Sequence, residues 1–529
     1  MQTIGAFFES QARHWAENAF LCVPADEARS YLQRGYEITY GEALAEVERL
    51  KSALTAAGYG HGHRIAILLE NRPEMVLLKL ACNALGISSV PVNPDYRPSE
   101  TAYLLQDSAA DLAVCCDARL EQMRDGITAS GLDVPVVRIE DDLPKASRAA
   151  PCVGEVAPDS EASLLYTSGT TGRPKGCILS HEYELSLGQW YADLGGALAL
   201  EQGKDRVYNP LPLFHVNAGI LQLFGMIATG CCQIIPDRFS ASRWWRELEE
   251  TGATACHYLG IIIPALMNQP EGPDDRKPAI KWGAGAGVEP TLHRAFEERF
   301  GFPLVEVWGM TEMCRVLADN HAPRSIDTRA MGRPRPGLDV KVVDEQDNEV
   351  PRGTPGEMVV RHSAETPRKG AFSGYLNLPD ATEEAWRGGW FHTGDTVVMD
   401  ESDMLYFVDR KKNIIRRSGE NIAAAEIEAC LQEHEDVARV AVIAVEDALR
   451  DEEVMACVVP NGDGDEAMAR RLFDHAYEHM AYYKAPGWVR FFDEIPVTGT
   501  QKIQKHALFE EGESPVDGAY DLRNLKKRS

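Results

Sequence analysis

Tyr166-Thr167-Ser168-Gly169-Thr170-Thr171-Gly172-Arg173-Pro174-Lys175-Gly176 packs three glycines, four hydroxylated residues after the tyrosine and one lysine into eleven positions. The glycines permit close backbone approach and positive φ, and the hydroxyls and lysine supply donors, so such a loop can cradle phosphate. It is not the GxxxxGK[ST] loop of Walker-type nucleotidases, because Gly172 is followed by Arg173-Pro174-Lys175. On composition alone a flexible surface turn is an equally good reading, and the decision rests on what surrounds the loop.

Outward from the loop, short β-branched runs alternate with helical periodicity. Arg64 to Leu69 reads as a buried strand, Pro73 to Gly86 as a helix, Ser88 to Val92 as the next strand and Asp111 to Cys115 as a third. Such βαβ units imply α/β architecture with parallel or mixed sheets and helices on their faces. Beyond Gly332 the runs shorten, as in Val340-Lys341-Val342-Val343 and Glu357-Met358-Val359-Val360-Arg361, and suggest a small antiparallel, barrel-like subdomain. The charged run Asp409-Arg410-Lys411-Lys412 marks a junction between a large domain, 1–408, and a small mobile α+β domain, 409–529. In the latter, helices are expected over Ala424 to Glu433 and Glu466 to Met480, strands over Val437 to Val445 and Glu453 to Val459, and a polar tail at the end.

Of the 529 residues 54 are basic and 81 acidic, a formal charge of −27 that argues against nucleic acid or an anionic membrane surface as partner. The 44% hydrophobic and 26% charged residues are globular proportions. Twelve cysteines without a CxxC pair fit neither a zinc site nor a disulfide framework, so a reduced cytoplasm is the expected home. Gly219 to Ile235 is interrupted by Gln222 and Gln233, which favours a buried helix and strand over a membrane span.

Four further segments follow the loop in order. They are Trp308-Gly309-Met310-Thr311-Glu312, Trp390-Phe391-His392-Thr393-Gly394-Asp395, Arg416 to Asn421 around Gly419, and Pro496-Val497-Thr498-Gly499-Thr500-Gln501-Lys502-Ile503. Each taken singly has a plain reading: Glu312 as a carboxylate at a helix start, Asp395 as a turn residue, the 409–412 run as a solvated charge cluster. Taken together, with Thr39-Tyr40-Gly41-Glu42 near the start and Ala284-Gly285-Ala286 between, they resemble the adenylate-forming superfamily over nearly the whole chain. That superfamily comprises acyl-CoA synthetases, peptide-synthetase adenylation domains and beetle luciferases.

The resemblance implies roles. Thr167, Ser168, Gly169, Thr170, Thr171, Gly172 and Lys175 would hold the phosphates of ATP, Ala284, Gly285 and Ala286 the adenine side, and Trp308, Gly309 and Met310 the adenine face. Thr311 would contact the α-phosphate, Glu312 with Thr170 would hold Mg²⁺, and Asp395 and Arg410 would meet the ribose. Lys412 would be the hinge pivot, Gly419 the close-approach position beside coenzyme A, and Lys502 the catalytic lysine. Two departures stand out: Trp308 replaces the usual Tyr, and Gln501 precedes the lysine where Gly is usual.

The implied reaction forms an acyl-adenylate and then a thioester, with the small domain turning between the two halves. About 27 residues follow Lys502, too few for a carrier domain on this chain, which favours free CoA; a stand-alone enzyme loading a separate carrier protein is the alternative. His215 in Pro212-Leu213-Phe214-His215-Val216-Asn217 fits the acyl- and aryl-activating branch, and its plain reading is a histidine packed at a strand end. Asn217, His257, Arg315 and Val316 would line the acyl pocket, a mixed wall that suits a short or medium carboxylic acid with a second polar group, Arg315 being its expected anion or hydroxyl partner. The wording around His215 and Glu312 resembles the crotonobetaine/carnitine-CoA ligase group. A luciferase-type oxidation adds chemistry no residue demands, a non-catalytic relative should lack Lys502, Glu312 or Asp395, and a homodimer is left open.

Overall fold

The expected βαβ sequence is built from the strand Arg64–Leu68, the helix Pro73–Ala84 and the strands Ser88–Pro91 and Leu112–Cys115. The structure is a computed structural model that describes residues 2–167, 174–260, 262–272, 275–277, 279–410, 413–417, 420–447, 451–480, 482–497, 503–510 and 512–526. The chain divides into two compact units, 1–339 with 361–390, and 340–360 with 391–529. These bounds differ from the 408/409 junction, which separates parts expected to move rather than parts that pack compactly.

The first unit contains two sheets. In one, Leu304–Trp308, Gly283–Ala286, Ala255–Leu259, Arg206–Tyr208, Cys232–Ile234 and Ala19–Val23 lie parallel in that order, with antiparallel strands at both edges. In the other, Val136–Arg138, Leu112–Cys115, Arg64–Leu68, Ser88–Pro91 and Glu161–Thr167 are parallel. Lys175–Ser180 and Gly374–Tyr375 extend this sheet antiparallel. Central strands buried on both faces explain the unbroken apolar runs of the sequence. Thr39-Tyr40-Gly41-Glu42 starts the helix Tyr40–Ala57 as a capping box, with Thr39 and Glu42 each satisfying the other's backbone N–H. Gly219 to Ile235 forms a buried helix and strand as expected, but begins with a π-helical turn, Asn217–Gln222, before the α-helix Leu223–Thr229. Among the described residues no helix is long and apolar enough to cross a membrane.

In the second unit Leu405–Arg410, Phe391–Met399, Gly356–Arg361 and Asp339–Val343 form an antiparallel sheet. The C-terminal sheet is built on the long pair Val437–Asp447 and Asp451–Pro460. The helices Ala424–Gln432 and Glu466–His479 share its core through Ile427, Leu431, Leu472 and Phe473. Of the expected polar tail, residues 523–526 are instead docked, together with the stretch just before them, and 527–529 lie outside the described residues. Tyr520–Asp521 pairs with Trp488 and Val489, and Leu522 joins the core. Lys526 is buried against Glu453, which also accepts from Arg417 Nε at 2.9 Å. A lysine-rich ending reads as solvated only until a buried carboxylate such as Glu453 needs counter-charge.

Candidate active site

Six parallel strands present their C-terminal ends along one edge of the first sheet, the place where open α/β sheets bind ligands. Ala284, Gly285 and Ala286 end one strand and Trp308 the next; Asn209, His215 and Asn217 follow Arg206–Tyr208. His257 stands beside Ala284 in register. Gly285 is required by its neighbour, since a Cβ there would lie 2.3 Å from the Tyr258 carbonyl oxygen. The turn after Ala286 is fixed by Glu306, whose carboxylate accepts from Gly287 N at 2.8 Å and Tyr258 OH at 2.6 Å.

The phosphate-loop candidate joins the antiparallel strands Glu161–Thr167 and Lys175–Ser180, with Thr167 paired to Lys175. Ser168, Gly169, Thr170, Thr171 and Gly172 lie outside the described residues. Lys175 places its ammonium 4.8 Å above the ring of Tyr375, whose hydroxyl donates to Glu312 Oε1 at 2.9 Å. Burial, with the Glu312 charge next, holds the Tyr375 hydroxyl far above its ordinary range, so it stays a donor. The Thr311 carbonyl accepts from Tyr183 OH at 2.7 Å, and the Glu312 carbonyl from Phe372 N at 3.0 Å. Gly309 lies against Val316, where a Cβ would come within 2.9 Å of a methyl. Glu312 is a buried carboxylate, an oxygen donor of the type a hard cation takes, so its chemistry fits Mg²⁺.

Among the residues expected to line the acyl pocket, His257 Nδ1 lies 2.9 Å from Asn217 Oδ1 and His257 Nε2 2.7 Å from Tyr191 OH. Burial pushes the His257 imidazole down to about 3, so it is neutral. The half-buried His215 packs at a tilt against Phe214, and its carbonyl accepts from Gly219 N at 3.0 Å. Val316 is buried and its carbonyl accepts from Trp190 Nε1 at 2.8 Å. Arg315 is also buried, yet it donates to the Lys369 carbonyl at 2.7 Å and lies over Trp190.

The second unit carries Asp395 and Arg410, directly opposite each other on neighbouring strands and ion-paired at 2.8 Å. Gly394 has φ 68°, in the left-handed region that favours glycine, and this turns the strand at the motif. Thr393 Oγ1 donates to the Met358 carbonyl at 2.6 Å and accepts from Asp395 N. Asp409 accepts from Ala425 N at 2.8 Å at the start of the helix Ala424–Gln432. Lys412, Gly419 and Lys502 lie outside the described residues.

Motif reading misses three tyrosines: Tyr375, Tyr183 and Tyr191. Each acts through its hydroxyl on a residue far away in the chain, and Gly374–Tyr375 is a strand of only two residues. A polar tip on a buried ring needs a partner, which is the one sequence signal available.

The AMP-binding enzyme family model matches residues 8–376, and the AMP-binding enzyme C-terminal domain model residues 426–502. A sulfoacetate–CoA ligase of Cupriavidus necator is 31% identical over 519 residues, 96% of this chain and 97% of that protein. A crotonobetaine/carnitine–CoA ligase of Citrobacter koseri is 28% identical, covering 89% of this chain and 93% of its own. Among solved structures, the o-succinylbenzoate coenzyme A synthetase MenE of Bacillus subtilis, in complex with ATP and magnesium ion, superposes with a TM-score of 0.80. It is 25% identical, over 95% of this chain and 98% of that one.

Proposed function

The chain belongs to the AMP-binding enzyme family, and from that premise we propose that it is an ATP-dependent carboxylic acid:CoA ligase. The observation that carries the reading is the Lys175–Tyr375–Glu312 group, in which one tyrosine ring and its hydroxyl bring together an ammonium from the glycine-rich loop and a buried carboxylate. A triphosphate with its metal needs a cation and a carboxylate presented together.

In the first half-reaction the acid's carboxylate oxygen attacks the α-phosphorus of ATP, the bond to the β-phosphate oxygen breaks, and pyrophosphate leaves. Lys175 binds the phosphates, Tyr375 orients Glu312, and the backbone at Thr311 is fixed by Tyr183. Magnesium, when bound at Glu312, supplies neutralisation of phosphate charge. Lys502, by the family resemblance, is the lysine that neutralises the same phosphate charge. In the second half the thiol of coenzyme A attacks the acyl carbon and AMP leaves. Asp395, aimed by Gly394 and Arg410, receives the ribose hydroxyls.

The acid is short or medium, with a second polar group. Half-buried polar Asn217 in the acyl wall supports this, as do relatives named for sulfoacetate and for crotonobetaine/carnitine. The buried thiols suit a reduced cytoplasm. A panel of carboxylic acids scored by pyrophosphate and AMP release, with and without CoA, tests the reading. Product formation dependent on ATP, acid and CoA together is expected. Adenylate formation that ignores CoA would shift the assignment to carrier-protein loading, and no pyrophosphate release with any acid would overturn it.

A further inference from the structure

The buried polar side chains around Asn217 have a proton direction that the backbone dictates. Leu211 N donates to Asn209 Oδ1 at 2.9 Å, which fixes the Asn209 amide and turns its Nδ2 outward as a donor. That Nδ2 lies 2.9 Å from Asn217 Oδ1 and 2.8 Å from Gln222 Oε1, so both of those atoms must be oxygens. The Gln222 assignment is supported independently, because its Nε2 donates to the Val207 carbonyl at 2.8 Å. With Asn217 Oδ1 an acceptor, His257 must carry its proton on Nδ1, and its bare Nε2 must accept from Tyr191 OH. The neutral state that burial imposes on His257 agrees with one proton on the ring.

One group is left over. The Asn217 NH₂ has no acceptor among the described residues, while its oxygen serves two donors. Asn217 is half-buried and opens the π-helical turn Asn217–Gln222, an irregular backbone of the kind found at functional sites. The side chains joined in this network, Tyr191, Asn209, Asn217, Gln222, Gln233 and His257, include no carboxylate and no cation.

We propose that Asn217 is the specificity-determining residue of the acyl site, and that its amide NH₂ donates to an acceptor oxygen at the far end of a short carboxylic acid. The inference rests on the ligase reading and deepens it by naming the substrate class. A sulfonate, carboxylate or carbonyl oxygen satisfies the donor; a plain methyl end leaves it unpaired; a trimethylammonium end finds no counter-charge in the network.

The test is a length-matched series in ATP–pyrophosphate exchange: sulfoacetate, malonate, propionate and trimethylammonioacetate. Sulfoacetate or malonate is expected to exceed propionate about tenfold or more in kcat/KM. Asn217→Asp keeps the accepting oxygen and exchanges the donor for a second acceptor, so the ratio of acceptor-bearing acid to propionate should fall about tenfold or more. Equal change for all acids in Asn217→Asp, or a wild type that prefers propionate or the trimethylammonium acid, overturns the proposal while leaving a ligase. Exchange with no carboxylic acid overturns the ligase reading and this inference with it. Independently of the variant's folding, ¹⁵N shifts of His257 in the intact protein should show Nδ1 protonated and Nε2 bare. The opposite tautomer reverses the network and overturns the proposal.

Discussion

Glu312 in the first unit and Asp395 in the second are both buried motif carboxylates, and they are held in opposite ways. Asp395 meets Arg410 across a single pair of neighbouring strands, fifteen positions on in the chain, in direct register. Glu312 is held by Tyr375, from a two-residue strand on the edge of a different sheet, which also lies beneath Lys175. The first arrangement follows from a hairpin and its register, so short-range sequence specifies it. The second requires three segments to arrive together, and its precision depends on the packing of the whole unit.

The largest expected effect follows from removing the charge on the long-range side. Glu312→Gln should slow pyrophosphate exchange by about 10²–10³-fold, the scale for losing one group that answers charge in the transition state. A loss below tenfold would remove Glu312 from the chemistry. Tyr375→Phe deletes one hydrogen bond to a carboxylate, about 1.5–3 kcal/mol, so kcat/KM for ATP should fall by about 10- to 160-fold. If that variant retained wild-type dependence on Mg²⁺ concentration, Tyr375 would not be orienting Glu312.

On the local side, Arg410→Leu should raise the KM for ATP by roughly tenfold or less with a smaller change in kcat, because ribose binding is uniform through the reaction. A pure kcat effect would break the contrast. The smallest effect concerns stability near neutrality. His257 is held down to about 3 by burial, and His181 to about 4 by burial and then the nearby Lys79 charge; both lie in the unit with Glu312. The unfolded chain therefore binds more protons below its ordinary histidine value near 6.5, and stability is lost as pH falls toward the folded values. For each histidine the loss is below about 1 kcal/mol between pH 7 and 6 and about 2 kcal/mol by pH 5. Urea denaturation at pH 7, 6 and 5 checks it, and a flat profile would contradict the burial of neutral imidazole.

The motif residues and alternating elements are legible in the sequence because they depend on local chemistry: Thr393-Gly394-Asp395 needs a hydroxyl, a left-handed turn and a carboxylate in succession. The docking of Tyr520 to Lys526 is not legible, since Lys526 is buried only because Glu453 and Arg417 form an ion cluster from two other segments. Nor is the hydrogen bond from Arg315 Nη1 to the Lys369 carbonyl, which a charged side chain beside a motif does not announce.

The sequence by itself determined the α/β class, through its periodicity, and the family, through motifs that match those of known relatives, because both are properties of the chain. Only the tertiary structure decided which atoms serve as donors and acceptors: Tyr375 on Glu312, Tyr191 on His257 and Asn209 on Asn217. Those choices follow from backbone groups such as Leu211 N, since in a buried network each donor must find an acceptor, and which partners are within reach is set by packing.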